Sequence, residues 1–126
     1  MLPKNLAVCD KILDEIGVAE SFMGAVDLEA FESDEMLKRA VCMTVVNIGE
    51  LVKNLDDGFR ADHPEVPWKA IAGFRDVAAH KYQTLRMADV YATVKGDFPE
   101  LREMLGAILD AHEVEETGEE PRPDER

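Results

Sequence analysis

Apolar residues recur at intervals of three and four along most of the chain, and this spacing, which places them on one face of an α-helix, most restricts the possible fold. No segment alternates apolar and polar residues as a half-buried strand does, and no internal repeat is visible. The first stripe covers about residues 3–26, and the second runs from a cap at Ser33 or Asp34 to about Leu55. The sequence therefore predicts an all-α protein, built as a small helical bundle.

The second predicted helix has a broad apolar surface, wider than contact with one neighbouring helix requires. Its apolar residues are Met36, Leu37, Ala40, Val41, Val45, Val46, Ile48, Leu51, Val52 and Leu55. Two explanations remain open: it is the central helix of the bundle, or it also contacts a second copy in a homodimer. Gly49 would permit close approach of another helix, whereas Glu50 in this apolar setting needs a partner or solvent.

The length of 126 residues suits one domain, predicted over residues 1–111, followed by an acidic, disordered tail over residues 112–126. No apolar run reaches the length of a membrane span and no signal peptide opens the chain, so we expect a cytoplasmic protein that does not enter a membrane. Cys9 and Cys42 suit reduced thiols within the predicted helices. The spacing of the cysteines and histidines predicts no metal site, and no cofactor is expected.

The net charge of −13 argues against tight, non-specific RNA binding by the free chain. Residues 113–126 hold seven acidic and two basic residues, a charge of −5, which leaves −8 for the rest. Any phosphate site must then be local, around Arg75, Lys81 and Arg86. Acidity would also suit a basic protein partner or a salty cytoplasm.

Residues 73–82 bring an arginine, a carboxylate, an imidazole and a phenol together in the sequence. Arginine can hold a phosphate, and histidine titrates near neutral pH. Asp76 and His80 are four residues apart, so the carboxylate could orient the imidazole. On an ideal helix Arg75 and Tyr82 share a face, but Arg75 and His80 are about 140° apart. They would meet at one phosphate only if the helix loosens or a second chain completes the site. The alternative is an ordinary helix end with His and Lys beside its last carbonyls.

The pattern Arg75-x4-His80-x-Tyr82 resembles the motif of HEPN domains, in the form typical of HepT-like toxins, the DUF86 family. The resemblance extends in order and spacing over about residues 5–110. Its other matching segments are residues 31–37, 48–50, 64–75 and 98–101.

This resemblance implies an antiparallel HEPN bundle that forms a homodimer, with both motifs facing one cleft. It implies the toxin of a toxin–antitoxin pair, a metal-independent endoribonuclease in which Arg75 holds the scissile phosphate and His80 transfers protons. Lys81 would support the phosphate, and Asp76 would orient His80. This position is more often Asn in the family, and a carboxylate there would favour protonated His80 and repel RNA. Tyr82 would accept AMP from an MNT-type nucleotidyltransferase antitoxin, and the modification would block RNA.

The second hypothesis is a non-catalytic binding module that pairs with a nucleotidyltransferase and retains the motif as a relic. The acidic composition favours this module, and the complete set of Arg75, His80 and Tyr82 favours the ribonuclease.

Overall fold

The computed structural model describes residues 3–117, with side chains described for residues 3–112, and its regular elements there are all helical. The predicted all-α class is therefore confirmed. The helices are α1 (Lys4–Met23), α2 (Leu28–Ser33), α3 (Glu35–Lys53), α4 (Asp57–Asp62), α5 (Trp68–His80), α6 (Met87–Ala92) and α7 (Phe98–Thr117). A 3-10 turn (Tyr82–Thr84) follows α5, and a π-helical segment (Thr93–Asp97) joins α6 to α7.

Helix α3 begins at an aspartate cap. The Asp34 carboxylate accepts a hydrogen bond of 3.0 Å from the Leu37 amide, which satisfies a donor that the first helical turn leaves free. Of the two predicted caps Asp34 is therefore the one used, because the Ser33 hydroxyl donates back to the Glu29 carbonyl inside α2. Helix α3 ends at Lys53, slightly before the predicted end at Leu55.

The core forms where α1 and α5 both pack against α3, and α7 closes the bundle against α1. Its fully buried side chains include Ile12, Ile16, Phe31, Val41, Ile48, Val52, Val90 and Leu105. Helix α3 is thus the central helix of the bundle, which was one of the two explanations for its broad apolar surface. It nevertheless leaves Met36 and Met43 exposed, at 82% and 57% of their surface.

Pro67 precedes α5, and Trp68 anchors the start of that helix. The indole is 7% exposed and donates a hydrogen bond of 3.0 Å to the His63 carbonyl, so it is a core anchor. Helix α5 ends at His80 because Lys81, at φ −134° and ψ 38°, leaves helical geometry. The π-helical segment, which contains Gly96, interrupts the regular α-helical geometry between α6 and α7.

Cys9 and Cys42 are buried free thiols, and burial raises the pKa of each to about 11. Both therefore stay protonated at neutral pH and behave as small apolar core residues.

Within the described residues, no helix is both long and apolar enough to cross a membrane. Helix α7 continues past the predicted domain limit at residue 111, and the part of the predicted tail beyond Thr117 lies outside the described residues.

Candidate functional site

Arg75, on α5, lies directly against Gly49 of α3. A β-carbon on Gly49 would lie 2.0 Å from the Arg75 β-carbon and 2.4 Å from its γ-carbon, far inside van der Waals contact. Only glycine fits there without moving one of the helices. The close approach suggested by the Gly49 position is therefore present, and it fixes the backbone from which Arg75 extends.

The Arg75 guanidinium belongs to a network of four charged side chains, which we call the Arg75 network: Glu50, Lys53, Arg75 and Asp76. One guanidinium nitrogen pairs with the Glu50 carboxylate, and the other donates to Asp76 Oδ1 at 3.0 Å. Lys53 Nζ donates to the same Asp76 oxygen at 2.7 Å. Two cations and two carboxylates leave the network with no net charge. Glu50 thus has the partner that its position in an apolar helix required.

One donor of this arginine remains unsatisfied. Arg75 Nε is buried and has no hydrogen-bond acceptor among the described residues. The side chain as a whole is 18% exposed, so the guanidinium is held mostly beneath the surface. A buried donor without an acceptor typically costs about 1–3 kcal/mol. One nitrogen of the guanidinium therefore lacks a hydrogen-bond acceptor in the single chain. An additional acceptor beside it would favour a rearrangement of the Arg75 side chain.

Asp76 is held by Lys53 and Arg75 and not by His80. The hydrogen bond from Lys53, followed by that from Arg75, keeps the pKa of the Asp76 carboxyl below its usual range. The carboxylate therefore stays ionised throughout the neutral range. The predicted contact in which Asp76 orients the His80 imidazole does not form in this chain, because the two cations hold the carboxylate towards α3.

His80 is the last residue of α5, and its side chain is exposed. Among the described side chains, none hydrogen-bonds or ion-pairs with its imidazole. It follows Arg75 by five positions, which corresponds to about 140° around the helix and about 7.5 Å along it. Helix α5 does not loosen between them. One chain alone therefore does not direct Arg75 and His80 at the same phosphate.

Tyr82 contacts α3 at a different level from Arg75. Its half-buried ring lies below the Arg39 guanidinium, whose central carbon is 4.9 Å from the ring centre. Burial raises the pKa of the Tyr82 phenol above its ordinary value. Arg39 precedes Glu50 by eleven residues, or about 16 Å along α3. The helix ends before Tyr82, so the predicted sharing of one α5 face by Arg75 and Tyr82 does not hold.

The structure thus unites Arg75 and Asp76 but leaves His80, Lys81 and Tyr82 outside their network. Lys81 is exposed and, within the described side chains, makes no ion pair. Lys53 was not recognised from the sequence, because it lies on another helix and its role depends on how α3 and α5 pack. Its spacing of three residues from Glu50 was the available signal.

No three His, Cys, Asp or Glu residues in the described part of the chain are placed to bind a metal ion.

The motif does not line the apolar groove of the chain. That groove, of about 400 Å³, lies between α3, α5 and α7, and its walls include Val45, Ile48, Ile71, Phe74 and Leu101. Arg75, His80 and Tyr82 are absent from its walls. A substrate that meets the motif would therefore bind on the open surface beside α3 and α5.

Comparison with known proteins matches most of the chain to one family. A family model described as "Ribonuclease HepT-like" matches residues 12–108, which span α3, α5 and the whole motif. No solved structure matches the chain.

Several curated relatives are similar over most of their length. A candidate RNase of Caldanaerobacter subterraneus subsp. tengcongensis is 36% identical over 100 residues, which cover 79% of this chain and 89% of the relative. A probable ribonuclease HepT of Thermococcus cleftensis is 33% identical over 74% of this chain and 84% of its own. A candidate RNase of Methanocaldococcus jannaschii is 32% identical over 71% of this chain and 77% of the relative.

Proposed function

Because this chain belongs to the HepT-like ribonuclease family, we propose that it is a metal-independent endoribonuclease and the toxin of a toxin–antitoxin pair. The observation that supports this most is the placement of Arg75. Gly49 holds its backbone close against α3, so a guanidinium of the kind that binds phosphate extends from a tight junction of two helices.

In the proposed reaction Arg75 binds the scissile phosphate and stabilises the negative charge that develops on it. His80 removes the proton of the ribose 2′-hydroxyl, and the 2′-oxygen attacks the adjacent phosphorus. The bond from phosphorus to the 5′-oxygen breaks, and a protonated His80 imidazole donates a proton to that oxygen. The products are a cyclic 2′,3′-phosphate and a 5′-hydroxyl. Lys81, next to His80, would support the phosphate.

Two chains are needed for this chemistry, because Arg75 and His80 diverge on α5. The exposed apolar residues supply a surface for the second copy. Met36 and Met43 are seven residues apart on one side of α3, and Val77 is 40% exposed on α5. In a homodimer, His80 of one chain could lie beside Arg75 of the other.

The variant Met36→Asp/Met43→Asp is expected to be monomeric, because the two carboxylates would be desolvated at the subunit interface. Light scattering at micromolar concentration should give about twice the chain mass of 14.1 kDa for the wild type and one chain mass for the variant. RNA cleavage should fall at least about tenfold if two chains complete the site.

The matched control is Val18→Asp/Phe22→Asp, which places the same charges on exposed apolar positions of α1. This control should remain dimeric and retain the helical circular dichroism of the wild type. A wild type that stays monomeric at every concentration would remove the shared-site arrangement.

We propose that Tyr82 is the acceptor of AMP from an MNT-type nucleotidyltransferase antitoxin. The 3-10 turn presents it at the end of α5, and the Arg39 guanidinium above its ring supplies a cation for the added phosphate. Pairing of that phosphate with Arg39 would place negative charge on the surface that RNA approaches.

The variant Tyr82→Phe is expected to lose all AMP addition after co-expression with the cognate nucleotidyltransferase, because it lacks the acceptor oxygen. Intact-mass analysis would show AMP additions on the wild type and none on the variant. Tyr91→Phe is the matched control, since the half-buried Tyr91 hydroxyl is already used in a hydrogen bond of 2.9 Å to the Val26 carbonyl. Persistence of the additions in Tyr82→Phe would refute the assignment of this acceptor.

The alternative function, a non-catalytic module that binds a nucleotidyltransferase, draws support from the neutral Arg75 network. Purified protein incubated with RNA separates the two functions. The ribonuclease should produce cyclic phosphate ends and should not cleave RNA whose 2′-hydroxyls are methylated. A pure dimer that pairs with the nucleotidyltransferase and leaves RNA intact would favour the module.

A further inference from the structure

Two cationic side chains from different helices converge on one oxygen atom. Lys53 Nζ, from the end of α3, lies 2.7 Å from Asp76 Oδ1, and Arg75 Nη1, from α5, lies 3.0 Å from the same atom. These are the distances at which both donors would bind an oxygen of a phosphate group. The Asp76 oxygen thus occupies the position that a phosphate oxygen would take between the two cations.

We propose that Lys53 and Arg75 form a two-cation site for one phosphate group of the RNA backbone, and that Asp76 occupies this site until the RNA displaces it. The identity of the ligand as RNA rests on the proposed function. Lys53 is then an additional substrate-binding residue, and Asp76 is an autoinhibitory contact within the same chain.

The exposure of the pair allows this exchange. The side chains of Lys53 and Asp76 are 39% and 50% exposed, so either can rotate into solvent without disturbing the core. A phosphodiester and a carboxylate each have one negative charge, so their exchange leaves the charge of the site unchanged. Glu50 still pairs with the other nitrogen of Arg75 and keeps the guanidinium on α3.

The internal contact leaves one donor of the guanidinium unused. Arg75 Nε has no acceptor while Asp76 accepts from Nη1 and Glu50 pairs with Nη2. Nε shares an edge of the guanidinium with Nη2 and not with Nη1, so a phosphate that replaces Asp76 at Nη1 leaves Nε unchanged. The affinity of the site for phosphate therefore comes from the two cations that converge on one oxygen position.

The variant Asp76→Asn tests the displacement, because it removes the competing charge while preserving the shape of the side chain. The probe is a short, single-stranded 2′-O-methyl RNA, which the protein cannot cleave by attack of a 2′-hydroxyl. Fluorescence anisotropy at fixed low salt should show binding about tenfold tighter than for the wild type. In Asp76→Asn/Lys53→Met, this gain should disappear, because the second cation is missing.

The matched controls change the same charges at other exposed positions. Asp10→Asn alters the net charge equally on α1, and Lys69→Met removes an exposed lysine at the start of α5. Asp10→Asn should change affinity less than twofold, and Lys69→Met added to Asp76→Asn should leave its gain intact. Circular dichroism of each variant reports the helical fold, and Asp76→Ser is a second variant without the carboxylate.

Two results would overturn the inference: Asp76→Asn binds the probe no more tightly than Asp10→Asn, or the gain survives loss of Lys53. Neither depends on catalysis. A protein that shows the predicted affinity changes but leaves unmodified RNA intact would retain the phosphate site and lose the ribonuclease assignment. A protein that cleaves RNA without these affinity changes would retain the ribonuclease assignment and lose the phosphate site.

Discussion

Arg75→Ala and His80→Ala are each expected to lower RNA cleavage at least about 100-fold, because one removes the proposed phosphate ligand and the other the proposed proton-transfer group. Both variants should also abolish toxicity when the protein is expressed in growing cells. The exposed His80 makes no contact that the fold needs, and Arg75 lies at the edge of the core. Initial rates of cleavage by purified protein and the growth of expressing cells are the two measurements.

Arg102→Ala is the control for Arg75, because Arg102 also pairs with a carboxylate, that of Glu20, but lies on α7 away from the motif. Gln83→Ala is the control for His80, as an exposed neighbour in the following turn. Both controls should cleave within about threefold of the wild type, the range of ordinary surface substitutions. A chelator should leave cleavage unchanged. Unaltered cleavage by either Arg75→Ala or His80→Ala would contradict its assigned role.

Gly49→Ala is expected to destabilise the protein by about 1–3 kcal/mol, the usual cost of forcing an extra methyl into a packed contact. The added carbon would overlap the Arg75 side chain, so α3 and α5 must separate or Arg75 must move. The rate of RNA cleavage should also fall, because the Arg75 guanidinium is displaced. Urea unfolding gives the stability, and the cleavage rate of the folded fraction reports the displacement of Arg75.

Gly17→Ala is the matched control, since a β-carbon at Gly17, inside α1, would meet no atom within 4 Å. Alanine is the better helix former, so this variant should be stabilised by about 0.4–1 kcal/mol. The two substitutions are chemically identical, but their effects on the free energy of unfolding are expected to have opposite signs. Equal effects at the two glycines would show that the α3–α5 contact is not tight in solution.

The long helices could be predicted because apolar spacing and burial agree along them. Helix α3, for example, was expected to end at Leu55 and ends at Lys53. Local polar contacts were harder to foresee. The Thr84 hydroxyl, for example, donates to the Lys81 carbonyl and helps to close the 3-10 turn. The short α4 was not predicted from the sequence.

The motif residues could be found from the sequence, but their arrangement could not. The expectation that Arg75 and Tyr82 share a face assumed an unbroken helix, and the backbone of Lys81 ends it. The expectation that Asp76 faces His80 considered α5 alone, and the cation that competes for this carboxylate comes from α3. Such pairings depend on which helices pack together, information that spacing within one helix does not contain.

The charge balance of the Arg75 network has a consequence for how ionic strength acts on RNA recognition. A protein whose free cations neutralise phosphates releases condensed counterions from the RNA, and its affinity falls steeply as salt is added. Here the cations are already neutralised by carboxylates, and salt screens these internal pairs as well as the pairs formed with RNA. The two effects oppose each other, so we expect RNA binding at the proposed phosphate site to depend less on salt than binding by free cations does.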